Sequence, residues 1–259
     1  MDTPRVAEAP SGPSFESALS LLQRREGARP LGTGSPGLDS LIGGLEPGLF
    51  YLFYGDEEGG LPDSLLLRLL VGAVGLGGRA AYLLCGNYRR SRTVLDPELL
   101  LSLIEGAGLD VEASLSRIHI VSAFSERHLI RAPGLVGGLL EGVGGFTLVA
   151  VQQLAKLFHG EDALRFEEPV EFTGLVSRLR AMCSERGVVL AATGRPGRRG
   201  RPIPEPEGGS FLRHSANVVV YLRGSGRGGV SAYVVKHPDR ARAGAAVHFG
   251  EGGDLIWAG

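Results

Sequence analysis

The segment that most constrains the fold runs from Leu49 to Val74. Leu49-Phe50-Tyr51-Leu52-Phe53-Tyr54 is continuously apolar and aromatic, as expected of a strand buried on both faces. Gly55-Asp56-Glu57-Glu58-Gly59-Gly60-Leu61-Pro62 follows, and Ser64 to Val74 carries apolar residues at helical spacing. Strand, glycine loop and helix form the frame in which a GxxxxGK[ST] loop wraps phosphates with its backbone N–H groups. Gly55, Gly59 and Gly60 keep the frame, but Leu61 stands where the phosphate-binding lysine belongs and Pro62 where a hydroxyl would hold magnesium. Asp56, Glu57 and Glu58 would repel a polyphosphate. The loop is read as degenerate, and no cofactor is expected.

Around this frame the pattern alternates. Strand-like runs at Leu49–Tyr54, Ala80–Leu84, Ile118–Ala123, Phe146–Val151 and Val188–Thr193 are separated by helix-like segments at Ser64–Val74, Pro97–Ala107, Leu135–Glu141 and Gly174–Arg186. Such alternation predicts an α/β core: a mainly parallel sheet flanked by helices. After Thr193 comes a loop rich in Arg, Pro and Gly to Gly209. Asn217–Arg223, Val230–Val235 and Ala245–Phe249 then read as turn-linked strands, a C-terminal antiparallel extension. Residues 1–13 are expected to be disordered, 14–30 to form a short amphipathic helix and linker, and 31–259 to form one core.

Composition narrows the function classes. The chain has 259 residues, 43% hydrophobic and 21% charged, which suits one large folded core. A net charge of −1 gives no global signature of nucleic-acid binding, so any basic site must be local. No secretory start and no apolar run long enough for a bilayer are evident, so the expected location is cytoplasmic and no membrane partner is expected. Cys85 and Cys183 lack metal spacing and sit in apolar contexts, as reduced core thiols do. His119, His128, His159, His214, His237 and His248 are scattered without ligand spacing, so no metal is expected. Lys156 and Lys236 are the only lysines, an arginine bias that fits a GC-rich or thermophilic source.

Gly32-Thr33-Gly34-Ser35, Leu38-Asp39 and Gly43-Gly44, followed by the apolar strand and glycine loop, resemble the opening of the RecA-like ATPase core of archaeal RadA and eukaryotic recombinases. Arg117-Ile118-His119-Ile120-Val121-Ser122-Ala123-Phe124 with His128 is similar to the family's third core strand. Gly208-Gly209, Leu212, His214-Ser215-Ala216 and Tyr221-Leu222-Arg223 are similar to the segment after its second DNA loop. The resemblance spans residue 14 to the end and implies a RecA-like P-loop NTPase core. It also locates further losses. The family's acidic magnesium ligand at the end of the fourth strand is replaced by Gln152 and Gln153, a degenerate Walker B element. The general-base Glu after the second strand falls at Gly86 or its neighbour, and Arg195 stands near the terminal-phosphate sensor. Several lost parts of one mechanism imply a pseudo-ATPase with no catalytic residues.

The resemblance also implies partners. Phe15-Glu16-Ser17-Ala18, with Gln23-Arg24-Arg25 and the Gly32 turn downstream, resembles the FxxA interface element whose Phe and Ala dock into a neighbouring protomer. On the acceptor side, small residues of the third strand are replaced by His119 and Val121, two apart and on one face, unless the register is shifted by one. The chain then donates its Phe15 and Ala18 but accepts a Phe poorly. Arg195, Arg198, Arg199 and Arg201 occupy the place of the second DNA loop, where flexible glycines suit non-specific phosphate contacts. The expected function is a catalytically inactive recombinase paralogue or accessory factor in homologous recombination and DNA repair. Its expected partners are a RecA/RadA-type recombinase and single-stranded DNA. Two alternatives stay open: a divergent ATPase binding nucleotide at a subunit interface, and a KaiC-like scaffold without a DNA role.

Overall fold

The computed structural model describes residues 29–55, 60–86, 95–159, 169–197, 202–224 and 229–249. Phe15, Ala18, Gly59, Arg198, Arg199 and Arg201 lie outside them. Eight strands, β1 (Phe50–Gly55), β2 (Arg79–Cys85), β3 (Ile118–Ala123), β4 (Phe146–Gln152), β5 (Val189–Gly194), β6 (Val218–Gly224), β7 (Val230–Lys236) and β8 (Ala246–Phe249), form one sheet in the order β3-β2-β4-β5-β1-β6-β7-β8. From β3 to β6 every neighbour is parallel; β6, β7 and β8 are antiparallel. The expected α/β class, with its antiparallel extension, is the observed one.

Alternation along β1 divides the core. Phe50, Leu52 and Tyr54 face one layer; Tyr51 and Phe53 face the other. Helix α1 (Pro36–Ile42) and helix α2 (Leu61–Gly75) cover the Tyr51 face through Leu38, Leu65, Leu66 and Leu69. Helices α3 (Pro97–Gly106) and α4 (Val111–Leu115) pack outside α2. The Tyr54 face is covered by α5 (Glu126–Gly142), α6 (Lys156–His159), α7 (Val170–Arg186) and α8 (Gly209–Ser215). Among the described residues no helix is long and apolar enough to cross a membrane.

The expected helix at Leu135–Glu141 is instead the second half of the 17-residue α5, which contains Pro133, Gly134, Gly137 and Gly138. Ser125 caps it by accepting from the His128 N–H, and Leu129, Ala132, Val136 and Leu140 are buried at helical spacing. Burial of that stripe outweighs the poor intrinsic propensity of the glycines. Helices α1, α4, α6 and α8 were absent from the sequence reading because each spans seven residues or fewer, too short for periodicity to register.

Candidate functional site

Sites in parallel sheets form at the C-terminal ends of the strands, and here those ends meet the first turn of α2. The helix starts at Gly60, which has a left-handed φ of 58°, and Pro62 in the first turn has no N–H to offer an anion. Leu61 is 5% exposed and belongs to the core under α2, with Gly224 of β6 beside its Cδ1. At Gly55 a Cβ would stand 2.3 Å from the Leu222 carbonyl oxygen. The close approach of β1 and β6 is therefore sufficient reason for that glycine, without any phosphate.

Beside this turn lies Asp63, which the sequence reading passed over. Its Oδ1 accepts the Thr193 hydroxyl at 2.6 Å and Gln153 Nε2 at 3.0 Å; its Oδ2 accepts Gln152 Nε2 at 3.0 Å and Gln153 Nε2 at 3.1 Å. The Thr193 hydroxyl in turn accepts the Gln153 backbone N–H at 2.9 Å. Both carboxylate oxygens thus face N–H or O–H donors. Gln152, Gln153 and Thr193 are buried, and Asp63 is half-buried. The third position of a helix favours an acid, so Asp63 also complements the α2 dipole.

A second layer supports the first. The Tyr82 hydroxyl donates to Gln152 Oε1 at 2.8 Å, which fixes the amide with its nitrogen toward Asp63. Burial, reinforced by the Asp63 charge, pushes the Tyr82 phenol well above its ordinary value and keeps it a donor. The same two causes raise the neighbouring buried Cys85 thiol, so it is inert. Gln153 has φ 50°, the one non-glycine among the described residues with positive φ. Its backbone bond to Thr193 and its side-chain bonds to Asp63 hold it there. The two amides at the end of β4 and the acid in the first turn of α2 form one hydrogen-bonded unit, visible in the sequence only when both positions are set side by side. Among the described residues no group of three His, Cys, Asp or Glu side chains gathers to hold a metal.

No protein-family model matches the chain. It is 27% identical over 263 residues to a DNA repair and recombination protein RadA of Methanoculleus marisnigri, covering 90% of this chain and 76% of that one. The sequence thus resembles that of a RadA-type recombinase along most of its length. Its fold superposes on the crystal structure of a RadB recombinase with a TM-score of 0.69 at 22% identity, covering 85% of this chain and 94% of the other.

In the recombinase frame, β3 is the outermost parallel strand. His119 and Val121 are half-buried on its inner face; Ile120, on the other face, is 50% exposed. The His119 ring lies 5.2 Å from the Phe146 ring. The arginine loop is closed at its base by an antiparallel bridge between Pro196 and Pro206, with the Gly197 N–H donating to Glu205 O and the Glu207 N–H to Arg195 O. Arg195 forms a two-pronged pair with the buried Glu207, at 2.9 Å from Nε and 2.5 Å from Nη2. Arg213 pairs with Glu205 at 3.1 Å. Glu207 thus fixes Arg195 at the base of the loop, a role the sequence reading did not assign.

Proposed function

We propose that this chain is a RecA-like recombinase paralogue without ATPase chemistry, serving as an accessory factor in homologous recombination and DNA repair. It acts through contact with a RecA/RadA-type recombinase, with single-stranded DNA as a second partner. The observation that carries this reading is the Asp63 network. An ATP–magnesium complex does not fit these residues. Among the described residues the carboxylate in the first turn of α2 is surrounded by donors, where a cation needs acceptors, and Leu61 points into the core instead of toward a phosphate. Arg195, the residue of this chain that could supply positive charge in a divergent ATPase, is engaged by Glu207. Homology to a RadA supports the pathway.

The test combines two measurements on the full chain. Titration with a fluorescent ATP analogue and magnesium is expected to give no saturable binding, and phosphate release no rate above background with or without DNA. A pull-down against the host's complete recombinase is expected to capture it. Turnover that disappears on changing this chain's own loop would establish the divergent ATPase instead. Failure of the pull-down beside retained solubility would favour a scaffold without a recombination partner.

A further inference from the structure

The antiparallel end of the sheet carries a row of aromatic rings that neither the nucleotide site nor the arginine loop uses. Tyr54 on β1 lies 5.1 Å from Tyr221 on β6, Tyr221 lies 6.1 Å from Tyr233 on β7 with the rings near parallel, and Tyr233 lies 6.0 Å from His248 on β8 at 83°. Strand register produces the row: Tyr54 pairs with Tyr221, Tyr221 with Tyr233, and Tyr233 with Ala246. Two residues along, Arg223, Ser231 and His248 pair across β6, β7 and β8. All of these side chains share the Tyr54 face. Burial decreases outward, from Tyr54 and Tyr221, which are buried, through half-buried Tyr233 to exposed His248 and Arg223.

We propose that this face is a binding platform for single-stranded nucleic acid, with a base seated in the right-angled corner between Tyr233 and His248 and a phosphate on Arg223. The corner is pre-set. The Ser231 hydroxyl bonds His248 Nδ1 at 2.6 Å, which fixes the imidazole plane, and the residue opposite Tyr233 on β8 is the small Ala246. Charge selects the occupant. Helix α8 and strands β6, β7 and β8 contain no Asp or Glu, while they carry His214, Arg223 and His248 besides Arg213, which pairs with Glu205, and Lys236, whose Nζ donates to the Arg213, His214 and Ala216 carbonyls. The nearby Glu205 and Glu207 are neutralised by Arg213 and Arg195. Flat rings for base faces beside cations for phosphates, without hydrogen-bond donors arrayed for base edges, suit sequence-tolerant stacking. The buried end of the row reaches the arginine loop, since the Tyr54 hydroxyl donates to Pro204 O at 2.7 Å. The platform does not depend on that loop.

The experiment is fluorescence anisotropy of the full chain with labelled oligodeoxythymidine and with an abasic oligomer of equal length. Tyr233→Leu, which keeps an apolar side chain against the core, and His248→Ser are each expected to weaken oligodeoxythymidine binding about fivefold or more. Tyr233→Phe is expected to retain it, and the abasic oligomer to bind the wild-type chain as weakly as the variants bind thymidine. Arg198→Ala with Arg199→Ala and Arg201→Ala separates the loop, since stacking on the platform persists when the loop contacts are gone. Equal affinity of His248→Ser, or equal binding of the abasic oligomer, would overturn the proposal. So would competition by polyglutamate as effective as by DNA, which would mark a general polyanion surface. His248 is exposed, so its variant decides the matter even if Tyr233→Leu unfolds.

Discussion

The Thr193 hydroxyl donates to Asp63 Oδ1 at 2.6 Å, joining the end of β5 to the first turn of α2. In a nucleotide-binding sheet that gap is where a metal and a phosphate sit between strand ends and helix. Here one carboxylate, two amides and one hydroxyl close it with direct bonds. A buried polar network of this kind is stabilising only while every partner is present.

Removing the hub should therefore be expensive. Asp63→Ala leaves the Gln152 and Gln153 amide N–H groups and the Thr193 hydroxyl without their acceptor, and is expected to lower stability by about 2–4 kcal/mol. Thr193→Val removes the bonds to Asp63 and to the Gln153 N–H together. The double variant should lose less than the sum of the two singles, because they break the same network. Urea midpoints of the four proteins check this; strict additivity would show that the network has no cooperative role.

Restoring loop residues should not restore nucleotide binding. Leu61→Lys with Pro62→Thr recreates the missing lysine and hydroxyl but leaves Asp63 tied to its donors and β4 ending in Gln152. The lysine must also leave a core position that is 5% exposed, so the variant is expected to lose roughly 1–3 kcal/mol while gaining no affinity for ATP. Calorimetric titration with ATP and magnesium beside a urea curve reads both effects.

The fold was legible in the sequence because it rests on local patterns of apolar residues and turns. The continuous apolar run of β1 and the shift to shorter, turn-linked strands after Thr193 each mark one side of the sheet. The candidate site was legible only as departures from the GxxxxGK[ST] pattern and from the resembled family's acidic strand end, at Leu61, Pro62, Gln152 and Gln153. What fills it was not, since the bonds from Asp63 reach across 89, 90 and 130 residues and no local rule links such positions. The same holds for Arg195: a loop arginine reads as free until the fold brings Glu207 opposite it. The rings of Tyr54, Tyr221, Tyr233 and His248 become a row only through strand register.

Alkaline pH should destabilise the protein in a defined window. Burial raises the Tyr51 phenol from 10.0 to about 12 and the Cys183 thiol from 9.0 to about 12, and lifts Tyr82 and Cys85 as well. Each folded value lies above the unfolded one, so the unfolded chain binds fewer protons as pH rises. The stabilisation is complete below pH 9.0 and is lost toward 12, at up to about 1.4 kcal/mol per pH unit for each group titrating only in the unfolded state. Lys236, whose value is lowered by burial and by Arg180 and Arg213, works in the opposite sense. Urea midpoints at about pH 8 and about pH 11 should differ strongly in the wild type, and Cys183→Ala should reduce the difference. A pH-independent midpoint would contradict the burial of these groups.

The interface prediction concerns both ends of one contact. If Phe15 anchors this chain in a recombinase pocket, Phe15→Glu removes a hot-spot aromatic worth roughly 2–4 kcal/mol and presents a charge to an apolar hole. Capture by the recombinase should be abolished with the melting temperature unchanged. At the acceptor end, the His119 ring packs at a tilt against Phe146 and, with Val121, lies on the inner face of the outermost parallel strand. His119→Ala with Val121→Ala should open space there, and the variant should self-associate through Phe15 in light scattering, whereas the wild type does not propagate. Adding Phe15→Glu to that variant should return it to the wild-type mass. Self-association that persists in the triple variant would mean that the exposed β3 edge, with Ile120, pairs without the Phe anchor. Loss of the fold in Phe15→Glu alone would instead place Phe15 in this chain's own core.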